Sequence, residues 1–258
     1  MCYDSSKWRR SVSALAKVTA SNSRRIAPGL ALIFDLDGVV VDSMPVHQVA
    51  WRSYLASLGI GDRDLLARMH GRRNDDIVMD FLGPAADETI VREHGAAKER
   101  LYREIMRDRL EDHLVPGIRR FLEQSAGAPC GLASNAERPN IDFVLDDAGL
   151  RRYFQVIVDG SQVERPKPAP DIYLLAARKL GVEPRNCIVF EDSPVGMAAA
   201  RTAGTRVVGV LTHERAIDGL MSDDLTSKDI ALAVPNFLDP ELDRWLFLQR
   251  PAPSQRPA

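Results

Sequence analysis

The chain has 258 residues, of which 45% are hydrophobic and 27% charged, with a formal net charge of −2, a composition ordinary for a globular protein able to bury a sizeable core. Its Lys and Arg residues are scattered, so there is no basic field to hold nucleic acid, and no apolar run approaches the ~20 residues of a membrane-crossing helix. Three cysteines, Cys2, Cys130 and Cys187, cannot all pair; the last two lie in apolar runs where a reduced thiol packs as a small hydrophobe, and a reducing, cytoplasmic setting is expected.

Residues 1–29 are rich in Ser, Arg and small side chains, with Asp4 the only acid. They are expected to form a disordered leader, a composition that leaves organellar targeting open. From residue 31 short apolar runs alternate with longer helical patterns, the signature of a parallel sheet covered by helices. Strands are predicted over Ala31–Asp35, Pro129–Ser134, Val156–Asp159, Cys187–Glu191, Arg206–Val210 and Ile230–Val234. The first four end in polar or acidic residues, and in an open α/β sheet ligands sit outside the carboxyl ends of the strands, so these ends are expected to converge on one crevice.

The stretch between the first two strands is far too long for a simple crossover and must hold its own structure. Within it Val49, Trp51, Tyr54, Leu55 and Leu58 recur at helical spacing before Gly59, and "DDIVMDFLG" and "KERLYREIMRDRL" predict further helices. Residues 43–113 are therefore read as an inserted helical module, with residues 114–128, opened by Pro116-Gly117, returning as a helix. The expected architecture is a Rossmann-like, doubly wound parallel core (30–42 and 114–238) with this all-helical insert and a tail (239–258) whose Pro-rich end "RPAPSQRPA" is expected to be disordered.

Four features bear on chemistry. "FDLDGV" sets Asp35 at a strand end and Asp37 in the loop beyond, where Gly38 lets the chain turn; such a pair can supply a nucleophile and a separate acid/base, although a lone DxD is more often a pair of loop acids capping a helix. "FEDSP" ends another strand with Glu191 and Asp192, oxygen donors suited to a hard cation, while Ser193-Pro194 is a good helix start. "ASN" places Ser134 and Asn135 at a strand end before a helix, where a phosphate oxygen can be bound. "RPKPAP" presents Lys167 from a stiff, non-helical loop.

In this order, FDLDGV, Ser-Asn, KPAPD and FEDS resemble the motif set of the haloacid dehalogenase-like superfamily of phosphotransferases. The resemblance spans residues 30–238 and is greatest to the subfamily of β-phosphoglucomutase and small sugar-phosphate phosphatases, which carry a helical cap after the first strand. It implies Asp35 as nucleophile, Asp37 as general acid/base, and Ser134, Asn135 and Lys167 as phosphate-binding residues. It further implies Mg²⁺ held by Asp35, the Asp37 carbonyl and Asp192, with Glu191 supporting it directly or through water. The superfamily's dehalogenases lack the second aspartate, so Asp37 argues for phosphate esters over haloacids.

In the cap, "DSMPVHQVAW" resembles the segment that turns His47 toward the site, and "HGRRNDDIV" resembles the specificity loop, with Arg73 and Asn74 near the ligand. Asn74 stands where mutases carry a phosphate-gripping arginine, which weakens the mutase reading. Lys98 matches a lysine that reaches the site in mutase-like caps. The expected activity is Mg²⁺-dependent hydrolysis of a small phosphorylated metabolite through an aspartyl-phosphate, by a monomer or weak homo-oligomer with neither nucleic-acid nor membrane partners. The rivals are a phosphosugar mutase and a catalytically idle domain binding a phosphorylated ligand or a protein.

Overall fold

The computed structural model describes residues 26–69, 74–83, 86–212 and 230–252. Six strands form one sheet: β1 (Ala31–Phe34), β2 (Cys130–Ser134), β3 (Val156–Asp159), β4 (Cys187–Glu191), β5 (Arg206–Val210) and β6 (Leu232–Val234). Their order is β3-β2-β1-β4-β5-β6, with every pairing parallel. The chain winds outward in both directions from β1, so the crevice beyond its carboxyl end, between β2 and β4, is the topological switch point.

The strands read as continuous apolar runs because helices cover both faces. On one face Phe34 stacks on Phe190 with ring centroids 4.7 Å apart and meets Phe121 and Phe154 edge-on. On the other, Ile33, Ala133, Val189 and Val207 pack against Ile172 and against Ala176, Ala177, Ala199 and Ala200, whose small side chains bring the helices close. Cys130 and Cys187 are buried in these layers as free thiols, and burial pushes both up to about 12, so they pack rather than react.

The helices are α1 (Met44–Ser57), α2 (Leu65–Met69), α3 (Asn74–Leu82), α4 (Glu88–Arg107), α5 (Leu110–His113), α6 (Ile118–Gln124), α7 (Arg138–Asp147), α8 (Asp171–Leu180), α9 (Pro194–Thr202) and α10 (Pro240–Leu248). The first four enclose a separate apolar cluster of Trp51, Leu55, Leu65, Met69, Ile77, Val78 and Val91. Helix α4 starts well before the expected Lys98: the Asp87 carboxylate accepts the N–H groups of Thr89 and Ile90, both at 2.8 Å. Its first turns are polar enough to hide the helical period.

Both ends of the chain depart from expectation. Ile26, assigned to the leader, is buried in the main core; residues 1–25 lie outside the described residues. Residues 240–248, assigned to the tail, form α10, with Leu242 and Leu246 buried against the core beside β6. The Asp239 cap and Pro240 start that helix, and its apolar residues every fourth position are the overlooked signal. The Pro-rich end lies outside the described residues from 253 onward, while Ala252 is tied by its N–H to the Asn186 side chain at 2.7 Å. Among the described residues no helix is long and apolar enough to cross a membrane.

Candidate active site

The chain leaves β1 at Asp35, whose N–H donates to the Phe190 carbonyl of β4 at 3.0 Å, and then turns sharply. Gly38 sits at φ +75°, and a Cβ there would lie 2.0 Å from Asp192 Oδ2. Only glycine lets the β1 loop rest against the carboxylate beyond β4. The turn carries Asp37 to Ser43, whose hydroxyl donates to Asp37 Oδ1 at 2.5 Å. Ser43 precedes α1 but makes no cap bond with its side chain; the hydroxyl is committed to the aspartate instead.

Lys167 reaches into the same crevice from the loop before α8. Its Nζ donates to Asp35 Oδ1 at 2.6 Å and to Glu191 Oε1 at 2.7 Å. Glu191 is saturated: Oε1 also accepts the Tyr173 hydroxyl at 2.8 Å, and Oε2 accepts the N–H groups of Asp192 and Ser193 and the Ser193 hydroxyl. Helix α9 can approach this carboxylate because residue 196 is glycine, where a Cβ would overlap Glu191. Glu191, expected to support a metal directly or through water, is the carboxylate that holds Lys167 and Tyr173 in this structure.

Burial dominates the electrostatics. It raises the Asp35 carboxyl to about 7 against the opposing charge of Lys167, with Glu191 and Asp37 adding to the rise. Burial also raises Asp37, opposed by the Ser43 hydrogen bond. Asp192 is pushed well above the usual carboxylate range by burial and then by repulsion from Glu191, Asp35 and Asp37. Crowded anions with one ammonium among them make a good cradle for a divalent cation, which relieves this repulsion. The oxygens left for it are Asp35 Oδ2 and the Asp192 carboxylate, both hard donors. Among the described residues no three acidic, His or Cys side chains cage a metal by themselves, so an ion here would complete its shell with carbonyl, water or phosphate oxygens, as Mg²⁺ commonly does.

Ser134 ends β2, next to β1, and its Oγ accepts the Ala136 N–H at 3.2 Å. Asn135 follows it, exposed at the same edge. The structure thus brings Asp35, Asp37, Ser134, Asn135, Lys167, Glu191 and Asp192 to one end of the sheet.

From the cap, His47 and Lys98 meet: Lys98 Nζ lies 3.2 Å from His47 Nδ1, and the imidazole stacks on Tyr102 at 3.8 Å. Asn74 heads α3, its amide nitrogen 3.4 Å from Glu137 Oε1. Arg73 and the preceding Gly71 and Arg72 lie outside the described residues. Burial, then the neighbouring Lys98 charge, lowers His47 to about 3, so it is neutral at physiological pH. The unfolded chain binds a proton at this histidine below about pH 6.5 and the folded one does not, so stability falls as pH falls through that window. Chemical denaturation should show His47→Asn losing about 2 kcal/mol less stability than wild type between about pH 7.5 and about pH 5; parallel curves would contradict this.

Sequence reasoning missed Ser43, Tyr173, Glu99 and Asn140. Tyr173 left a signal, standing six residues after Lys167 in the first turn of α8. Glu99 left none, because a Lys-Glu pair in a polar helix reads as a solvated face.

A parallel sheet with this strand order, two aspartates leaving its central strand and a lysine clamped between carboxylates defines an α/β enzyme whose chemistry sits at the switch point. The haloacid dehalogenase-like hydrolase family model matches residues 30–204, and the chain belongs to that family. It is 32% identical over 182 residues, 69% of this chain and 95% of the relative, to the fructose-1-phosphate phosphatase YqaB of Escherichia coli (strain K12). It is 34% identical over 188 residues, 70% of this chain and 82% of the relative, to a beta-phosphoglucomutase of Bacillus subtilis (strain 168). Among solved structures, a HAD hydrolase of family IA, variant 3, from Entamoeba histolytica superposes with a TM-score of 0.73 at 25% identity, covering 85% of this chain and all of that one.

Proposed function

We propose that the chain is a Mg²⁺-dependent phosphomonoesterase of a small phosphorylated sugar or sugar alcohol, working through an aspartyl-phosphate on Asp35. The observation that carries this reading is the division of labour between two aspartates separated by one residue: Asp35 is held by Lys167, and Asp37 by Ser43. One oxygen of the Asp35 carboxylate attacks phosphorus, the other being left to the cation. Lys167 and the Ser134 hydroxyl balance charge on the transferring oxygens. Asp37, its carboxyl raised by burial, gives its proton to the departing alcohol oxygen and then takes one from the water that attacks the acyl phosphate. Asp35, the Asp37 carbonyl and Asp192 would hold Mg²⁺, whose charge would further neutralise the phosphate. Glu191 acts through Lys167.

The relatives support a sugar phosphate as substrate: one is named for fructose 1-phosphate and another for a phosphoglucomutase. In a mutase the same aspartates would return the phosphoryl group to a sugar hydroxyl. A split assay separates the two: inorganic phosphate and glucose 6-phosphate are quantified together from fructose 1-phosphate, and from β-glucose 1-phosphate with a trace of the bisphosphate primer. Phosphate release without isomerisation is expected, and glucose 6-phosphate without phosphate release would make the chain a mutase.

A further inference from the structure

The following rests on the phosphatase reading and extends it to the alcohol released. Lys98 and Glu99 are adjacent on α4 yet 2% and 4% exposed, because α4 packs on α1 to one side and on α7 to the other. Lys98 faces α1, its Nζ near His47 Nδ1 and 5.0 Å above the Trp51 ring. Glu99 faces α7: Oε2 accepts the Asn140 side-chain N–H at 2.7 Å, while Oε1 accepts from Lys98 Nζ. Arg103 donates to Asn140 Oδ1 at 2.6 Å, which fixes the amide so that its nitrogen points at Glu99.

Burying this carboxylate is costly, and it is not needed to join the helices, which Arg103–Asn140 and the Arg107–Asp147 pair at 3.0 Å already bridge. Its effect is to cancel Lys98. Geometry sets the pair on the Asp37 side of the cleft: the Ser43 hydroxyl holds Asp37 at 2.5 Å, His47 stands one helical turn beyond with its N–H on the Ser43 carbonyl at 2.9 Å, and Lys98 Nζ meets that histidine. Nearby, Glu137 at the start of α7 adds a second, half-buried carboxylate. Asn74, whose amide nitrogen meets Glu137, has a buried Oδ1 with no partner among the described residues, an acceptor that a substrate hydroxyl can satisfy.

We propose that Glu99 determines specificity on the leaving-group side of the cleft: by pinning the Lys98 charge, it makes that side accept an uncharged, polyhydroxylated alcohol and reject one bearing a second phosphate. A second phosphate would bring nearly two negative charges against Glu99 and Glu137 with only a neutralised lysine to meet it, and like-charge juxtaposition is expensive away from water. With Glu99 neutral, Lys98 loses the carboxylate that its Nζ donates to, a place that an anionic substituent would fill.

Fructose 1-phosphate and fructose 1,6-bisphosphate differ only at the far end of the leaving group. Their kcat/KM ratio is measured with Mg²⁺ for wild type, Glu99→Gln, Glu99→Asp and Asn140→Ala, and their Kd by calorimetry in an Asp35→Asn background with and without Glu99→Gln. The expected result is that Glu99→Gln moves both ratios at least about tenfold toward the bisphosphate, mainly through KM. Asn140→Ala, which releases Glu99 from α7 without removing its charge, should move them the same way by less, and would carry the test if Glu99→Gln does not fold. Glu99→Asp should keep the wild-type order. Ratios that do not move, or binding of neither ligand to any variant, would overturn the inference. A wild type that releases no phosphate from any ester, while the Kd ratio still shifts, would sink the phosphatase reading and support this one.

Discussion

Asp35→Asn should abolish turnover while leaving the fold intact. The amide is isosteric and keeps an oxygen for Lys167, which retains Glu191 as its charged partner at 2.7 Å. Little packing changes, and the melting temperature should move by only a few degrees. What disappears is the nucleophile, and removal of a covalent nucleophile lowers kcat by roughly 10⁴-fold or more. Phosphate release from fructose 1-phosphate, measured beside a melting curve, checks both halves. Retention of a tenth of the wild-type rate would mean that phosphorus is attacked by another group. Asp37→Asn should behave differently, slowing substrates with poor leaving groups far more than those whose alcohol leaves without a proton.

Lys167→Met should damage stability as much as chemistry. The ammonium bridges two buried carboxylates at 2.6 and 2.7 Å and lies 4.8 Å from the Tyr173 ring. Removing one partner of a buried ion pair costs about 3–5 kcal/mol, which for a chain of this size lowers the melting point on the order of 10 °C. The two carboxylates raise the lysine's pKa despite the opposing effect of burial, so its contribution is complete below its unfolded value and is lost only as pH rises through the folded one; neutral pH is the right place to measure it. The double variant Asp35→Asn/Lys167→Met, with one fewer buried charge, should be more stable than Lys167→Met alone, since contacting groups are not additive. If the double variant loses the sum of the two single effects, the two side chains are energetically independent. Lys167→Arg should restore neither property, because a planar fork replaces a point charge.

The sheet was legible because its strands are buried on both faces: Val156–Asp159 and Cys187–Glu191 are apolar runs closed by an acid, and Arg206–Val210 is an apolar run opened by Arg206. The core motifs were legible for a related reason, since each follows a strand end and the switch point gathers strand ends. Helix α2, the start of α4 and α10 were harder to read, because short or polar helices owe their existence to tertiary packing and capping more than to a periodic face. The cap chemistry was hidden for the same reason. Whether a Lys-Glu pair is solvated or buried depends on α7 lying across it, and nothing local in the sequence announces that contact.

Trapping the intermediate tests the central claim most directly. Protein turning over a phosphorylated sugar with Mg²⁺ is quenched in acid and reduced with borohydride, which converts an aspartyl-phosphate to homoserine, and the peptide spanning β1 is then read by mass spectrometry. Homoserine at position 35, absent from Asp35→Asn and from enzyme without substrate, is the predicted result. An unmodified Asp35 in enzyme that is actively releasing phosphate, or homoserine at another aspartate, would contradict the account.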